Sequence, residues 1–316
     1  MGQFSLLVPM YISEIAPASL RGTMGTCNQL GITVGLVIAF AIGLPIADDL
    51  EWWRYVAAIS TLPAIVLLLG FLIFVPETPR WLLTQGRMPD ALAALKRLRG
   101  KTFDSEAEMR QLNQAQQESA SQSGPNGLIP QLKVMFSSTY MRPLLIALGL
   151  QFTQQFTGIN GVFFYLGKLF TTVTECDRDA IRSSILYSIM ACCVNVVGTL
   201  LSLFITDKVG RRLLLSSSLV GMGACLAIGG SAVYFGWATQ AKAIAVIGYI
   251  FCFAVGCGPV PWIMMSEVMP SRIRGPAMSL GTLSNWLLYD RHHCHCAMAS
   301  VLCHVTLAAV PSSSLQ

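Results

Sequence analysis

Charged side chains interrupt this chain only at intervals, and the stretches between them are apolar all round instead of along one face. Runs without Asp, Glu, Lys or Arg cover residues 22–47, 55–76, 143–167, 183–206, 213–241 and 243–266, with lengths of 26, 22, 25, 24, 29 and 24 residues. A helix crossing a hydrocarbon core of roughly 30 Å needs about 20 predominantly apolar residues, and a charge at its centre costs about 2.5–3.5 kcal/mol. The pattern therefore predicts six membrane-spanning helices. A seventh run, 275–289, starts in the same way but meets Asp290 and Arg291, and is expected to be a truncated or altered span. The first 13 residues are uncharged but too short to cross, and they lack the basic start and cleavage site of a signal peptide. They are expected to be the last turns of a span.

Composition excludes a soluble domain. The 316 residues are 53% hydrophobic and only 12% charged, against roughly 25% charged in soluble proteins. The net charge of +5 is explained by where the basic residues fall and gives no argument for nucleic acid. Counted on alternate sides of the windows, fifteen Lys and Arg lie on one side and five on the other, which also holds Asp48, Asp49 and Glu51. The fifteen-residue side is expected to be cytoplasmic. The long connection near 77–142 belongs to it. Thr78 with Pro79 predicts a helix start, and Leu92, Leu95 and Leu98 at helical spacing predict short amphipathic helices under the membrane. Glu118 to Gly127, rich in Ser, Gln, Gly and Pro, is expected to be a flexible linker. Ten cysteines without paired CxxC spacing are expected to be small buried residues, not disulfides or a zinc site.

One segment occurs twice. Ser13-Glu14-Ile15-Ala16-Pro17-Ala18-Ser19-Leu20-Arg21-Gly22 matches Ser266-Glu267-Val268-Met269-Pro270-Ser271-Arg272-Ile273-Arg274-Gly275, with Ser, Glu, Pro, Arg and Gly at identical spacing. The six windows lie between the copies, so the repeating unit holds six spans and two units make twelve. Parallel six-span halves with a midplane site between them are a plan for secondary transporters. On that count the chain runs from the end of span 4 into span 11. A Glu seven residues before an Arg at a cytoplasmic helix end fits an ionic gate that breaks when the inner side opens. It also fits a simple helix stop with a topology-setting Arg. The duplication favours the gate, as does the turn from Asp207 and Lys208 to Arg211 and Arg212. Glu77 and Arg80 add charges at the same face.

These residues bring a family into view. The chain resembles the sugar porters of the major facilitator superfamily and is similar to the facilitative glucose transporters. The resemblance rests on Pro76-Glu77-Thr78-Pro79-Arg80-Trp81-Leu82-Leu83, Gln154-Gln155-Phe156-Thr157-Gly158-Ile159-Asn160, Asp207 to Arg212, and Gly258-Pro259-Val260-Pro261-Trp262, and covers roughly residues 5–287. It implies an all-α integral membrane protein with the major facilitator fold, incomplete, with about six complete spans plus partial spans 4 and 11 of twelve. The expected divisions are 1–76 for the end of the first half, 77–142 for the linker, 143–289 for the second half and 290–316 for an atypical tail.

A neutral sugar presents hydroxyls that donate and accept, and side-chain amides do the same without a formal charge. Gln151, Gln154 and Gln155 share one helical face, and Asn160 lies between Gly158 and Gly161, where the backbone can unwind. The resemblance assigns sugar contacts to Gln154, Gln155 and Asn160, and to Gln29, Asn195 and Asn285. For each of them interhelical hydrogen bonding is the competing role, and for Asn195 the two stand level. Trp262, and likewise Trp286, can set an apolar ring face against a pyranose while the indole N–H donates. Trp52 and Trp53 read as interfacial anchors. Pro259 and Pro261 remove two helix hydrogen bonds beside Trp262 and predict a bending gate, with close packing of Gly256 and Gly258 as the alternative.

No Asp, Glu, His, Lys or Arg lies inside the six windows, which favours downhill uniport over proton coupling. No paired carboxylates, Ser-His-Asp set or phosphate loop points to an enzyme, and no cofactor is implied. His292, His293, Cys294, His295 and Cys296 could hold zinc or copper but stand where the resemblance ends, so no metal site is assigned. The reading is a hexose carrier working by alternating access, with a small-molecule sugar and the lipid bilayer as its partners and no preferred oligomer. The alternatives are a sugar sensor, a non-transporting truncated product, and a proton-coupled sugar symporter when complete.

Overall fold

The computed structural model describes residues 2–17, 20–46, 52–100, 104–121, 128–170, 178–235, 239–269 and 273–290, and over them the regular structure is helical. The first part holds α1 (Gly2–Ile15), α2 (Arg21–Ile46) and α3 (Trp52–Phe74). The connection holds α4 (Pro79–Thr84), α5 (Met88–Arg99), α6 (Ser105–Ser121) and α7 (Leu128–Met135). The second part holds α8 (Ser138–Phe156), α9 (Ile159–Phe170), α10 (Arg178–Val209), α11 (Arg211–Tyr234), α12 (Thr239–Cys252), a π-helical turn (Phe253–Cys257), α13 (Val260–Val268) and α14 (274–290).

Among the described residues, five helical stretches are long and apolar enough to cross a membrane: Gly22–Pro45, Ala57–Phe74, Ile185–Val209, Arg211–Ala232 and Ala241–Val268. On α3 the large side chains turn outward, with Val66 69% and Leu72 75% exposed, as a lipid-facing surface requires. The sixth expected span, 143–167, departs from the continuous helix that its composition predicts. It breaks into α8 and α9 at Gly158, whose φ of +77° lies in the left-handed region open to glycine. The expected unwinding is therefore present, two residues before Asn160. The run at 275–289 does form a helix, α14, whose end includes Asp290.

Near Pro259, where a bending gate is expected, the helix is irregular, with its widest turn upstream. Gly258 N–H donates to the Phe253 carbonyl at 2.8 Å, five residues back, and Ser218 of α11 fills the gap by donating to the Cys252 carbonyl at 2.7 Å and accepting from Cys257 N–H at 3.0 Å.

Two core clusters sit in the second part, one around Met265, Met278 and Leu144, the other around Tyr249, Ile250 and Phe253. The packing of α10 along α2, and of α13 against α1 and α2, ties the two parts together. The connection has a core of its own in Leu82, Leu83, Ala91, Leu95 and Met109. Thr78 caps α4 by accepting from Trp81 N–H at 3.3 Å with Pro79 in the first turn, as the sequence predicts. Arg99 clasps this packet to the first part: it donates to both Glu108 oxygens at 2.9 and 2.8 Å and to the Ile15 carbonyl at 2.7 Å. Those bonds to Glu108, ahead of the opposing effect of burial, hold the Arg99 guanidinium above its ordinary pKa.

Two expectations need correction. α6 continues to Ser121, into the stretch expected to be flexible, because its Gln, Glu and Ala residues are sound helix formers; residues 122–127 lie outside the described ones. Among the described cysteines, all unpaired, Cys192 and Cys257 are buried but Cys27 and Cys193 are exposed, since a thiol on a lipid-facing helix surface behaves as any small apolar group.

Candidate functional site

The broken span carries the densest set of uncharged polar side chains. Gln151, Gln154 and Gln155 lie on one face of α8 and are 0%, 6% and 7% exposed. Asn160, in the first turn of α9, reaches back over the break to donate to Gln155 Oε1 at 2.8 Å. Asn285 of α14 is the hub: its Nδ2 donates to Gln151 Oε1 at 2.8 Å and Gln154 Oε1 at 3.1 Å, and its Oδ1 accepts from Gln155 Nε2 at 2.8 Å. Gln154 Nε2 extends the chain to the carbonyls of Gly258 at 3.0 Å and Cys257 at 3.4 Å, at the joint between the π turn and α13. Gln29 of α2 is buried and borders the same joint; a Cβ built on Gly258 would stand 3.5 Å from its Nε2. Five chain segments and six carboxamides, counting Gln29 of α2, thus converge without a formal charge.

Tyr249 of α12, 1% exposed, braces the break from behind by donating to the Thr157 carbonyl, one of those that the end of α8 leaves without a helical partner. A lone hydroxyl within the apolar run 243–253 is its only signal in the sequence.

Other expected contacts stand apart from this amide chain. Asn195 of α10 is 2% exposed and its Oδ1 has no hydrogen-bond partner among the described residues; the same holds for Trp286 Nε1 and for Thr282 Oγ1, which the sequence did not single out. Trp262 is half-buried and lines a small cleft with Pro9, Ile12, Ser13, Gly25 and Ser266, where α13 meets α1 and α2.

The ionic residues gather at the face that carries the connection helices. Arg211 Nη2 lies 3.0 Å from both Asp207 Oδ1 and Glu267 Oε1, and Thr23 of α2 donates to Asp207 Oδ2 at 2.8 Å. Gly22 makes this approach feasible, because a Cβ there would meet Asp207 Oδ1 at 2.3 Å and Arg211 Nη2 at 2.8 Å. Arg274 turns back to the Met269 carbonyl at 3.3 Å, Glu14 and Glu77 lie within electrostatic reach of Tyr11, and Arg80 is half-buried at the start of α4. Arg212 is exposed beside the cluster. The repeat is structural too: Ser13 donates to the Met10 carbonyl and Ser266 to the Ile263 carbonyl, both at 2.8 Å. Arg272, the anchors' side chains at Trp52 and Trp53, the Arg21 side chain and the histidine-cysteine tail at 292–296 lie outside the described residues.

Comparison with known proteins places these features in context. The family described as Sugar (and other) transporter matches residues 1–289. Sugar transporter ERD6-like 6 of Arabidopsis thaliana is 35% identical over 296 residues, covering 90% of this chain and 57% of that protein. A Facilitated trehalose transporter Tret1-2 homolog of Drosophila simulans is 35% identical over 295 residues, with the same coverage. The solved structure of the proton:xylose symporter XylE bound to 6-bromo-6-deoxy-D-glucose superposes with a TM-score of 0.77 at 29% identity, over 90% of this chain and 58% of that one. The chain spans little more than half the length of these relatives.

Proposed function

Because the chain belongs to the sugar transporter family of the major facilitator superfamily, a family of multi-pass membrane carriers and not of enzymes, we propose that it carries a monosaccharide such as a hexose across the bilayer by alternating access. The observation that supports this most directly is the carboxamide chain of Gln151, Gln154, Gln155, Asn160 and Asn285. With no sugar bound the amides satisfy one another. A sugar hydroxyl donates and accepts as an amide does, so binding exchanges one set of hydrogen bonds for another of similar strength. Such a near-balanced exchange suits a carrier, which must release what it binds. In this reading Gln154, Gln155, Asn160, Asn285 and Gln29 take sugar hydroxyls, Asn195 and Trp286 offer further unmatched groups, and Trp262 flanks the moving joint at Pro259.

The face holding Asp207, Arg211 and Glu267 is the cytoplasmic one in this proposal; its ion pairs lie within the second half and hold Asp207 where it accepts from Thr23 of α2, the contact that joins the two halves while the inner side is shut. Uniport is the simpler coupling, since the six windows hold no titratable side chain apart from Cys and Tyr. The likeness to a proton:xylose symporter favours a second reading, proton coupling through an acid outside those windows.

Equilibrium binding of radiolabelled glucose, xylose and trehalose to the chain in lipid nanodiscs tests the proposal. Saturable binding that Gln155→Leu abolishes supports it. Absence of saturable binding by the unaltered chain, or retention of full affinity by Gln155→Leu, overturns it.

A further inference from the structure

Helix α14 turns two faces to the interior. Gly281 and Asn285 face α8: a Cβ on Gly281 would stand 2.5 Å from Met265 Sδ and 3.8 Å from Gln151 Cγ, and Asn285 bonds three glutamines there. Thr282 and Trp286 occupy the neighbouring face, one turn apart. Thr282 is 4% exposed, and neither its hydroxyl nor the Trp286 indole N–H has a hydrogen-bond partner among the described residues.

The unused hydroxyl is out of character for this molecule. Thr26, Thr153, Thr199 and Thr206 each donate to the carbonyl four residues back, at 3.0, 2.8, 2.9 and 2.6 Å. Thr282 has the same option in the Met278 carbonyl and leaves it. The indole is no less constrained, since Tyr289 holds it edge-on at 5.0 Å between ring centroids and 62°. Long side chains on a helix lean toward its N-terminus, which brings the Trp286 ring over the turn that carries Thr282. A donor-only N–H and a hydroxyl that both donates and accepts stand unmatched one turn apart on the same helix face, and leaving such groups unpaired in an apolar interior is costly.

We propose that Thr282 and Trp286 together receive one hydroxyl of the bound sugar, which accepts from the indole N–H and donates to Thr282 Oγ1. This rests on the carrier reading and adds to it a residue that sets specificity. A sugar bearing that hydroxyl satisfies both groups; the deoxy analogue leaves both buried and unmatched, which is the situation in which a binding site discriminates most strongly.

The test measures the affinity of glucose and of its five singly deoxygenated analogues (at C1, C2, C3, C4 and C6) for the chain in nanodiscs, for the unaltered protein, Thr282→Val and Thr282→Ser, with thermal unfolding followed in parallel. One analogue is expected to bind the unaltered protein about ten-fold more weakly than glucose. Thr282→Val should bind glucose about ten-fold more weakly and lose the discrimination against that analogue alone, while Thr282→Ser retains it. A Thr282→Val protein that still ranks all analogues as the unaltered protein does overturns the inference and leaves the carrier reading intact. If Thr282→Val does not fold, a Thr282→Ser protein that loses no discrimination supports the inference, and one that loses affinity for every analogue equally overturns it. No binding of any sugar by the unaltered protein overturns the carrier reading and this inference with it.

Discussion

Replacing Gly22 with Ala sets a methyl group against the ionic cluster. The added Cβ would stand 2.3 Å from Asp207 Oδ1 and 2.8 Å from Arg211 Nη2, so the Asp207 carboxylate must move. Moving it loosens two contacts, the 3.0 Å pair with Arg211 and the 2.8 Å bond from Thr23. The pair is partly screened, with side-chain exposures of 26% for Arg211 and 35% for Asp207, so each contact contributes about 0.2–1 kcal/mol. The shut arrangement should therefore weaken by about 0.4–2 kcal/mol, a factor of roughly 2–30. Fold stability should not fall in step, because Ala within α2 offsets up to about 1 kcal/mol through helix propensity. The assay uses Ser266→Cys as a reporter in a chain whose native cysteines are replaced, since Ser266 is 5% exposed and lines the cleft between α13 and α1 with α2. Gly22→Ala should raise the rate of its reaction with a water-soluble maleimide about 2–30-fold with an unchanged unfolding temperature. Unchanged labelling would mean that this cluster does not hold the two parts together.

The other expectations test single hydrogen-bonding groups. Ser218→Ala strands the Cys252 carbonyl and the Cys257 N–H, so the unfolding temperature should fall by an amount corresponding to about 1–3 kcal/mol; a stability equal to the unaltered chain would show that the π turn needs no brace. Tyr249→Phe removes the donor to Thr157 without emptying its pocket, and sugar affinity should drop about five-fold because the break that presents Asn160 loosens; isothermal titration with affinity unchanged would refute the bracing role. Arg99→Lys keeps the charge but not the two-pronged bond to Glu108, so hydrogen exchange should accelerate across α4 to α6 and leave α10 and α11 unaffected. Equal protection in both proteins would count against the clasp.

The spans were legible because a buried charge costs more than any local preference returns, so uncharged windows had few other places to go. The break at Gly158 and the face shared by Gln151, Gln154 and Gln155 were legible for a similar reason: both are properties of one helix. What the sequence withheld was every partnership between helices. Asn285 and Gln155 stand 130 residues apart, and nothing local announces that one is the hub for the other. Thr23, Tyr249, Ser218 and Arg99 gave no signal because each acts by meeting a backbone or side-chain group of a distant segment, and single residues carry no periodicity. Composition alone left the window at 143–167 continuous, because it measures greasiness and is blind to the sign of one φ angle; the glycines flanking Asn160 were what marked the break.

The break at Gly158 also sets two helix ends nose to tail. The C-terminal end of α8 carries a partial negative charge and the N-terminal end of α9 a partial positive one, each near half an elementary charge. Side by side these ends cancel, so a solute resting against the joint feels almost no axial field. An anion or a cation would gain little there to offset the loss of its hydration, whereas a molecule made of small local dipoles loses nothing. On the proposed carrier reading, the kink thereby disfavours charged cargo without a single ionised side chain.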